Sequence, residues 1–361
     1  MFLLLNCFAS YAANEDLITK QITIKLTEAG TLPDKIGRSK MDLVTSLKII
    51  GEINGTDLRF IREMAGRDVE GYRTSGNLSV LDLSEARFVA GGDYYYKGYG
   101  DGCYTSNDII GKYAFRGCSS LTSVNIPSSV TEIGGCAFWY CSSLISVNIP
   151  SSVTVIEPRT FGYCSSLTSV NIPSSVTGIG YGAFENCSSL TSVNIPSSVT
   201  SIGNSAFSCC SSLTSVKIPS SVTVIEPGTF GYCSSLTSVN IPSSMTSIGD
   251  YAFGFCSGLK SIYVYAETAP SIGENAFKGC DSKNCTVYVP KGTYDAYWLS
   301  EWGYFDNIVE FDATNIRNIV VEPEARETAR YAVNGQRLTA PVKGINLVKY
   351  NNGRVKKEIV K

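Results

Sequence analysis

A thirteen-residue phrase, CSSLTSVNIPSSV, occurs unchanged at residues 118–130, 164–176 and 187–199. It returns with one substitution at residues 141–153, 210–222 and 233–245. Cysteines mark the period, because they recur every 23 residues from Cys118 to Cys256, and Cys280 follows after 24. Self-similarity at a fixed period predicts a stack of equivalent coils.

Each unit reads C-x-x-L-x-x-V-x-I-P-x-x-V-x-x-I-x-x-x-A/T-F-x-x when the copies are aligned on the cysteine. Disordered low-complexity sequence is poor in apolar residues, so this regular lattice excludes a disordered filler. The apolar anchors of the first unit are Leu121, Val124, Ile126, Val130, Ile133, Ala137 and Phe138.

The centre of the phrase predicts a short β-strand. Val124 and Ile126 face one way and Ser123 and Asn125 the other, since side chains alternate along a strand. Proline cannot donate to the ladder, so Pro127 ends the strand. One coil cannot enclose a core, but coils stacked about 4.8 Å apart cover one another's aliphatic side chains. The sequence therefore predicts a β-rich solenoid with a parallel sheet along one face.

The segment from Gly111 to Pro290 resembles the BspA-type (Treponema-type) leucine-rich repeats. Their signature is an L-x-x-L-x-I-P strand, an I-G-x-x-A-F turn and a cysteine, and the copies quoted above match it. Two units carry Glu-Pro in place of the I-G turn, at residues 153–164 and 222–233. The resemblance implies a leucine-rich-repeat solenoid. For BspA-like surface proteins of Bacteroidetes it also implies attachment to host matrix proteins and other cells.

Five segments follow from the pattern. Residues 1–13 form an apolar run that ends in small residues, as in a signal peptide. Residues 14–111 are an N-terminal cap with degenerate repeats and a Tyr/Gly-rich insertion, and residues 112–284 are the regular solenoid. Residues 285–311 form a C-terminal cap, and residues 312–361 form a separate β domain.

The two caps carry their own signals. The segment TDLRFIREMAG predicts a short helix with Thr56 as its N-cap and Gly66 closing it. In the C-terminal cap, the aromatic side chains of Trp298, Trp302, Tyr304 and Phe305 suit a hydrophobic lid over the last coil. A solenoid needs such caps to prevent edge-to-edge pairing.

The last fifty residues alternate in short strands around N-G and K-G turns. They resemble the sorting domain of the type IX (Por) secretion pathway in the N-G-Q-R-L motif from Asn334, the K-G-I-N motif from Lys343 and the basic end at Lys356, Lys357 and Lys361. The resemblance implies export, and the strand pattern predicts a small β-sandwich-like tail.

The chain offers no catalytic constellation. Histidine is absent, which excludes Ser-His-Asp, Cys-His and HExxH chemistry. Glu157 and Glu226 lie three coils apart, farther than the roughly 5–10 Å of a glycosidase pair. We therefore expect no enzyme and no catalytic residue.

No cofactor, metal, nucleic acid or membrane span is expected either. Cys-x-x-Cys spacing and EF-hand spacing are both absent. The net charge of −2 gives no reason to expect nucleic-acid binding. No membrane-length apolar run follows the N-terminal segment.

The repeated cysteines are predicted to be small buried hydrophobes with free thiols. Disulfides or metal binding remain the alternative, because an exported chain can oxidise its thiols. Cys280 and Cys285 are the favoured pair for a disulfide.

Three sets of residues are candidates for partner binding. The outward asparagines either bond to one another or present a repetitive surface. The aromatic residues before each cysteine are either contact anchors or packing along the edge of the coil. The tyrosine-rich insertion resembles paratope composition. The candidates are Asn125, Asn148, Asn171, Asn194 and Asn240; Trp139, Tyr140, Tyr163, Tyr232 and Phe255; and Tyr94, Tyr95, Tyr96, Tyr99 and Tyr104.

Two functions remain open. The first is an exported binding protein, at the cell surface (outer membrane) or extracellular, that adheres to a host extracellular-matrix protein, a glycan or another cell-surface protein. The second is a passive structural spacer of the cell envelope.

Overall fold

Every copy of the phrase forms the same short strand. In the first copy the strand is Ser123–Asn125, with Val124 buried between two outward side chains. The computed structural model describes residues 17–98, 100–312, 327–332, 337–338, 340, 343–350 and 355–360. The predicted signal peptide lies outside them. The chain divides into two units, Met1–Phe311 and Asp312–Lys361.

The first unit is organised around a 12-stranded parallel sheet. Equivalent residues of successive copies pair in register, as Val147, Val170 and Val193 do, which confirms the predicted solenoid. In order across the sheet, the strands are β1 (Ile22–Lys25), β2 (Ser46–Ile53), β3 (Val80–Phe88), β7 (Ser123–Asn125), β9 (Ser146–Asn148), β11 (Ser169–Asn171), β13 (Ser192–Asn194), β15 (Ser215–Lys217), β17 (Ser238–Ile241), β19 (Ser261–Val264), β21 (Thr286–Pro290) and β22 (Asn307–Phe311).

A second ladder of two-residue strands runs along the coils. It consists of β6 (Ile109–Ile110), β8 (Glu132–Ile133), β10 (Val155–Ile156), β12 (Gly178–Ile179), β14 (Ser201–Ile202), β16 (Val224–Ile225), β18 (Ser247–Ile248) and β20 (Ser271–Ile272). The insertion forms a hairpin of β4 (Gly91–Tyr96) and β5 (Cys103–Thr105). The helices are α1 (Leu32–Ile36), α2 (Gly55–Met64), α3 (Tyr294–Trp298) and a 3-10 helix (Glu301–Tyr304).

The core consists of columns of identical side chains. The phenylalanine column is fully stacked: Phe138 and Phe161 have ring centroids 5.4 Å apart and planes 12° apart. Burying a large apolar side chain contributes roughly 1.5–3 kcal/mol, and aromatic stacking adds about 0.5–1.5 kcal/mol. The column comprises Phe115, Phe138, Phe161, Phe184, Phe207, Phe230, Phe253 and Phe277.

The cysteine ladder is buried, as predicted, and its thiols are free. Each thiol from Cys141 to Cys280 donates to the phenylalanine carbonyl of the preceding coil; for Cys187 and Phe161 the distance is 3.2 Å. The predicted pairing of Cys280 with Cys285 is wrong in this structure, because both are free thiols and Cys280 donates to the Phe253 carbonyl instead.

Serine and threonine ladders explain why the phrase contains almost no charge. The Ser175 hydroxyl donates to the Val153 carbonyl at 2.7 Å, and Ser198 repeats this bond to Val176 one coil later. Each hydroxyl satisfies a main-chain carbonyl of the coil before it. A short hydroxyl suits this position because it reaches the preceding coil without carrying a charge that would need a partner.

The two Glu-Pro units interrupt the second ladder. In the I-G units the glycine lies against the preceding coil, and a Cβ added to Gly203 would be 2.7 Å from the Tyr181 nitrogen. Glu157 and Glu226 bring a Cβ to this position, and the ladder divides there into β6-β8, β10-β12-β14 and β16-β18-β20. Within the first Glu-Pro unit, Thr160 donates to the Glu157 carbonyl at 2.7 Å.

The cap helix α2 begins earlier than its sequence predicts. Thr56 is not the N-cap; Asn54 is, and its side chain accepts from the Thr56 N–H at 3.0 Å. The Asp57 carboxylate accepts from the Asn54 N–H at 3.0 Å and completes a capping box. A capping residue must precede the first helical residue, and Thr56 already lies inside the helix.

We expect Asn54→Ala to lower the free energy of unfolding by about 1 kcal/mol, as for other N-cap removals. The alanine cannot accept the Thr56 N–H. Urea unfolding followed by circular dichroism measures the effect. Thr56→Ala is the matched comparison, and a larger loss there than at Asn54 would contradict the assignment of the cap.

The C-terminal cap closes the last coil with aromatic side chains. Trp302 and Phe305 are buried, as the lid prediction requires, and the Trp302 indole N–H donates to the Pro270 carbonyl at 2.8 Å. Trp298 and Tyr304 differ from the prediction, because they are exposed.

The second unit contains a four-stranded antiparallel sheet in the order β24-β23-β25-β26. Its strands are β23 (Glu327–Ala332), β24 (Arg337–Leu338), β25 (Gly344–Tyr350) and β26 (Val355–Val360). Residues 334–336 of the N-G-Q-R-L motif and Lys361 lie outside the described residues. A second sheet, as in a sandwich, is not among the strands that the structure describes.

Candidate functional site

The residue before each ladder cysteine has a left-handed backbone. The φ angles are 63° at Tyr140, 60° at Tyr163, 57° at Asn186, 61° at Tyr232 and 59° at Phe255. This region favours glycine and asparagine and costs other residues roughly 1–2 kcal/mol. Four aromatic residues are thus held in a backbone conformation that disfavours them.

These four residues form two stacked pairs. The ring centroids of Tyr140 and Tyr163 are 4.4 Å apart, and those of Tyr232 and Phe255 are 4.6 Å apart. Stacking returns part of the backbone cost, about 0.5–1.5 kcal/mol for each pair. Tyr140 and Tyr232 remain 43% and 52% exposed. The pairs are therefore both packed along the coil edge and open to solvent, so both predicted roles remain possible.

The first pair adjoins a cluster of tryptophan and arginine. The Trp139 ring lies 4.9 Å from that of Tyr140, and the Arg116 guanidinium lies 4.8 Å from the Trp139 centroid. Arg159 approaches the same ring at 5.6 Å. The Trp139 indole nitrogen is buried and has no hydrogen-bond partner.

Two of the hairpin tyrosines are not surface residues. Tyr95 and Tyr96 are 1% and 3% exposed, so these two candidates for partner binding are buried in the core. The Tyr95 hydroxyl donates to the Lys112 carbonyl at 2.9 Å, and burial raises its pKa well above the ordinary value. The Tyr96 ring packs against the ring of Tyr113 and against the guanidinium group of Arg62. Both tyrosines anchor the hairpin to the solenoid.

The outer side of the hairpin carries the other tyrosines. Tyr104 is exposed and meets the half-buried Tyr94 edge to face, with centroids 6.3 Å apart. Tyr99 lies outside the described residues.

A groove lies where the hairpin meets the first coils, and we call it the cap groove. It has a volume of ≈ 620 Å³. Sequence reasoning missed most of it, because its residues come from the helix–strand loop, the hairpin and two coils, which no periodic pattern connects. The side chains of interest are Arg67, Tyr72, Tyr96, Lys97, Arg116 and Tyr140.

The outer face of the parallel sheet carries a row of asparagine side chains. Asn148, Asn171 and Asn194 are aligned in register and exposed. Their side chains form no hydrogen bond among the residues that the structure describes, so they do not bond to one another. Asn125 is exposed as well, whereas Asn240 is half-buried with a buried Oδ1 that lacks a partner.

Neither a metal site nor a membrane-spanning helix is present in the residues that the structure describes. In those ranges, no cluster of three or more His, Cys, Asp or Glu side chains could hold a metal ion. Also within them, every helix is too short or too polar to cross a bilayer.

Comparison with known proteins gives the family. The BspA-type leucine-rich-repeat region matches in six copies over residues 104–188 and 156–284, which together span half of the chain. Among curated proteins, none matches the chain.

Solved structures with related sequences are also repeat proteins. A leucine-rich-repeat protein of T. pallidum is 31% identical over 46% of this chain and 66% of its own, with a TM-score of 0.36. A leucine-rich-repeat protein from Bacteroides ovatus is 27% identical over 59% of this chain and 66% of its own, with a TM-score of 0.36. A leucine-rich cell surface protein of Faecalibacterium prausnitzii is 25% identical over 60% of this chain and 86% of its own, with a TM-score of 0.24. The chain thus spans just under two thirds of the first two. On the family match, the chain belongs to the BspA-type leucine-rich-repeat proteins.

Proposed function

We propose that the chain is a non-catalytic, exported binding protein that attaches to a host matrix protein, a glycan or another cell-surface protein. Its family consists of repeat proteins that are generally non-enzymatic, and a binding or adhesion role suits such proteins. The resemblance of the C-terminal segment to a sorting domain supports display at the cell surface or release from the cell. The segment 1–13 supports export in the same way.

One observation carries the proposal: the aromatic residues at left-handed positions. Glycine occupies the same position at Gly117 and Gly279, and asparagine does so at Asn186. The fold therefore accepts residues that cost less there. Backbone strain that the fold does not require is commonly retained at functional sites, and exposed aromatic side chains are common anchors of binding energy.

The passive spacer is the second candidate. The hydroxyl ladders favour it, because they tie each coil to the one before it through bonds such as Thr191 to the Thr168 carbonyl at 3.4 Å. A spacer needs this rigidity and nothing on its surface. It gives no reason for exposed aromatic pairs in a disfavoured backbone.

We expect a variant that combines four substitutions to gain stability and lose binding. The substitutions are Tyr140→Asn, Tyr163→Asn, Tyr232→Asn and Phe255→Asn. Asparagine tolerates the left-handed region, so relief of strain at four positions, about 1–2 kcal/mol each, outweighs the loss of two stacked pairs, about 0.5–1.5 kcal/mol each. Retention on immobilised matrix proteins and on a glycan array should fall at least about tenfold if these side chains are anchors. Urea unfolding measures the gain in stability.

Cys209→Asn is the matched control, because Cys209 has the same backbone conformation in one of the two coils between the pairs. It should retain full binding. Binding that survives in the four-residue variant would contradict the anchor role, and a wild-type chain retained on no surface would favour the spacer. Deletion of the hairpin is unsuitable as a test, because Tyr95 and Tyr96 belong to the core.

A further inference from the structure

The cap groove combines cations and tyrosines around one concave surface. Arg67, Lys97 and Arg116 supply positive charge, and among the residues that the structure describes Glu70 is the only carboxylate that lines the groove. We propose that the cap groove binds an acidic glycan, an oligosaccharide that carries carboxylate or sulfate groups. This inference rests on the proposed binding function and names the class of ligand.

The three cations are not neutralised by the protein. Within the described ranges, none of them forms a salt bridge with a carboxylate. Elsewhere in the N-terminal region such pairs do form: Arg87 lies 3.2 Å from Asp108 and Lys48 lies 2.6 Å from Glu85. The positive charge of the groove is therefore available to an anion from solution.

Both arginines are held in place by neutral oxygens. Arg67 donates from Nε to the Gly117 carbonyl at 2.7 Å and from Nη1 to the Gly71 carbonyl at 3.3 Å. Arg116 donates from Nη1 to the Tyr96 hydroxyl. The other guanidinium nitrogens, including Nη2 of each, have no hydrogen-bond partner among the residues that the structure describes. A fixed guanidinium loses less entropy on binding and can hold carboxylate or sulfate oxygens with charge-assisted bonds.

The charge of the groove is local. The whole chain has a net charge of −2 and a sequence pI near 5.5, so it has no general attraction for polyanions. An acidic ligand that binds must do so at a local concentration of cations. This separates a specific site from the non-specific adsorption that basic proteins show.

The lining favours a sugar over an acidic peptide. Tyr72, which is 69% exposed, and Tyr140 offer aromatic surface on which the C–H faces of a sugar ring can pack. In the described part of the chain, no Leu, Ile, Val, Phe or Met side chain lines the groove. A peptide generally needs an apolar pocket for its anchor side chain, and this groove has none.

Isothermal titration of the full chain tests the proposal with three oligosaccharides of similar length. They are a heparin hexasaccharide with sulfate groups, a hexagalacturonate with carboxylates alone, and neutral maltohexaose. We expect at least one acidic oligosaccharide to bind, and its affinity to fall severalfold between 0.05 and 0.3 M salt, estimated roughly from screening. Equal affinity for maltohexaose, or no affinity for either acidic sugar, overturns the proposal.

Two kinds of variant locate the site. Arg116→Gln should weaken acidic-sugar binding about tenfold or more, the effect of losing charge-assisted hydrogen bonds. Because Arg116 also contacts Tyr96, a second variant combines Tyr72→Ala with Lys97→Gln, whose side chains are exposed. It should also weaken binding at unchanged thermal stability. Lys217→Gln, which removes an exposed lysine from the sheet face, is the matched control and should bind normally.

The outcome is separable from that of the proposed function. If the groove variants bind acidic sugars as wild type does, the groove assignment fails, while retention on matrix proteins through the aromatic pairs is unaffected. If no surface retains the wild-type chain, the proposed function fails together with the inference.

Discussion

Raising the pH from 9 to about 10 is expected to unfold the solenoid cooperatively, because its cysteine ladder can ionise only after unfolding. Burial raises the pKa of Cys187 and Cys233 to about 12 and that of Cys280 to about 11, from an ordinary value of 9.0. Below pH 9 both states hold the thiol protons, so this contribution to stability is fully present. Above pH 9 the unfolded chain releases protons that the folded chain keeps, and the contribution is lost up to the folded pKa.

The size of the effect follows from the number of ladder cysteines. Each ladder cysteine whose thiol stays protonated in the folded chain costs about 1.4 kcal/mol of stability by pH 10, so several of them together approach the whole stability of a typical domain. Circular dichroism against pH measures the transition, and its steepness reports the number of protons released. The ladder comprises Cys118, Cys141, Cys164, Cys187, Cys210, Cys233, Cys256 and Cys280, and burial raises the pKa of each thiol.

The control replaces three ladder thiols at once, with Cys164→Ser, Cys187→Ser and Cys210→Ser. Serine does not ionise in this range, so the pH dependence of the unfolding free energy should lose the part of its slope that the three replaced thiols supply. The slope is independent of any overall loss of stability in the variant. Buried Tyr95 and Tyr297, whose pKa values burial also raises, remain as an equal background. An unchanged slope would show that the ladder is not the titrating group.

The solenoid could be predicted because each side chain meets copies of itself. Leu144 and Leu167 occupy the same column of the core, and Val147 pairs with Val170. The repeat sequence itself therefore shows which side chains surround a given residue, because its neighbours are the equivalent residues of the adjacent coils. The burial of the cysteine ladder followed from the same logic.

The cap groove could not be predicted because it depends on a non-local approach. The hairpin strand β4 lies against helix α2, where a Cβ added to Gly55 would be 1.9 Å from the Asp93 carbonyl oxygen. Only a glycine allows this contact. The sequence of the insertion does not indicate that the hairpin packs against helix α2. Tyr95 and Tyr96 of the same strand are buried in the core, which the paratope-like composition of the insertion did not indicate.

From the sequence, the left-handed aromatic positions could be recognised only as positions whose residue type varies among the copies. The sequence shows that residues before the cysteine differ among copies, but an aromatic residue is a poor indicator of a positive φ. Gly117, Asn186 and Gly279 are the three residues in the series that fit that conformation. The backbone strain became apparent when all copies were seen to share one φ.

Phe184→Ala is expected to destabilise the solenoid by about 3–5 kcal/mol, the usual cost of truncating a fully buried aromatic side chain. Phe184 stacks on both neighbours, with ring centroids 5.5 Å from Phe161 and 5.2 Å from Phe207. The substitution removes two stacking contacts and leaves a cavity in the middle of the column. Urea unfolding followed by circular dichroism measures the loss.

The same substitution should also change the shape of the transition. In a repeat array each coil contacts only its neighbours, so a weakened interface can divide one cooperative unit into two. Phe184→Leu retains most of the volume and should cost less, and Tyr181→Ala removes an exposed ring from the same coil and should cost below about 1 kcal/mol. A loss at Phe184→Ala no larger than that at Tyr181→Ala would mean that the phenylalanine column does not hold the coils together.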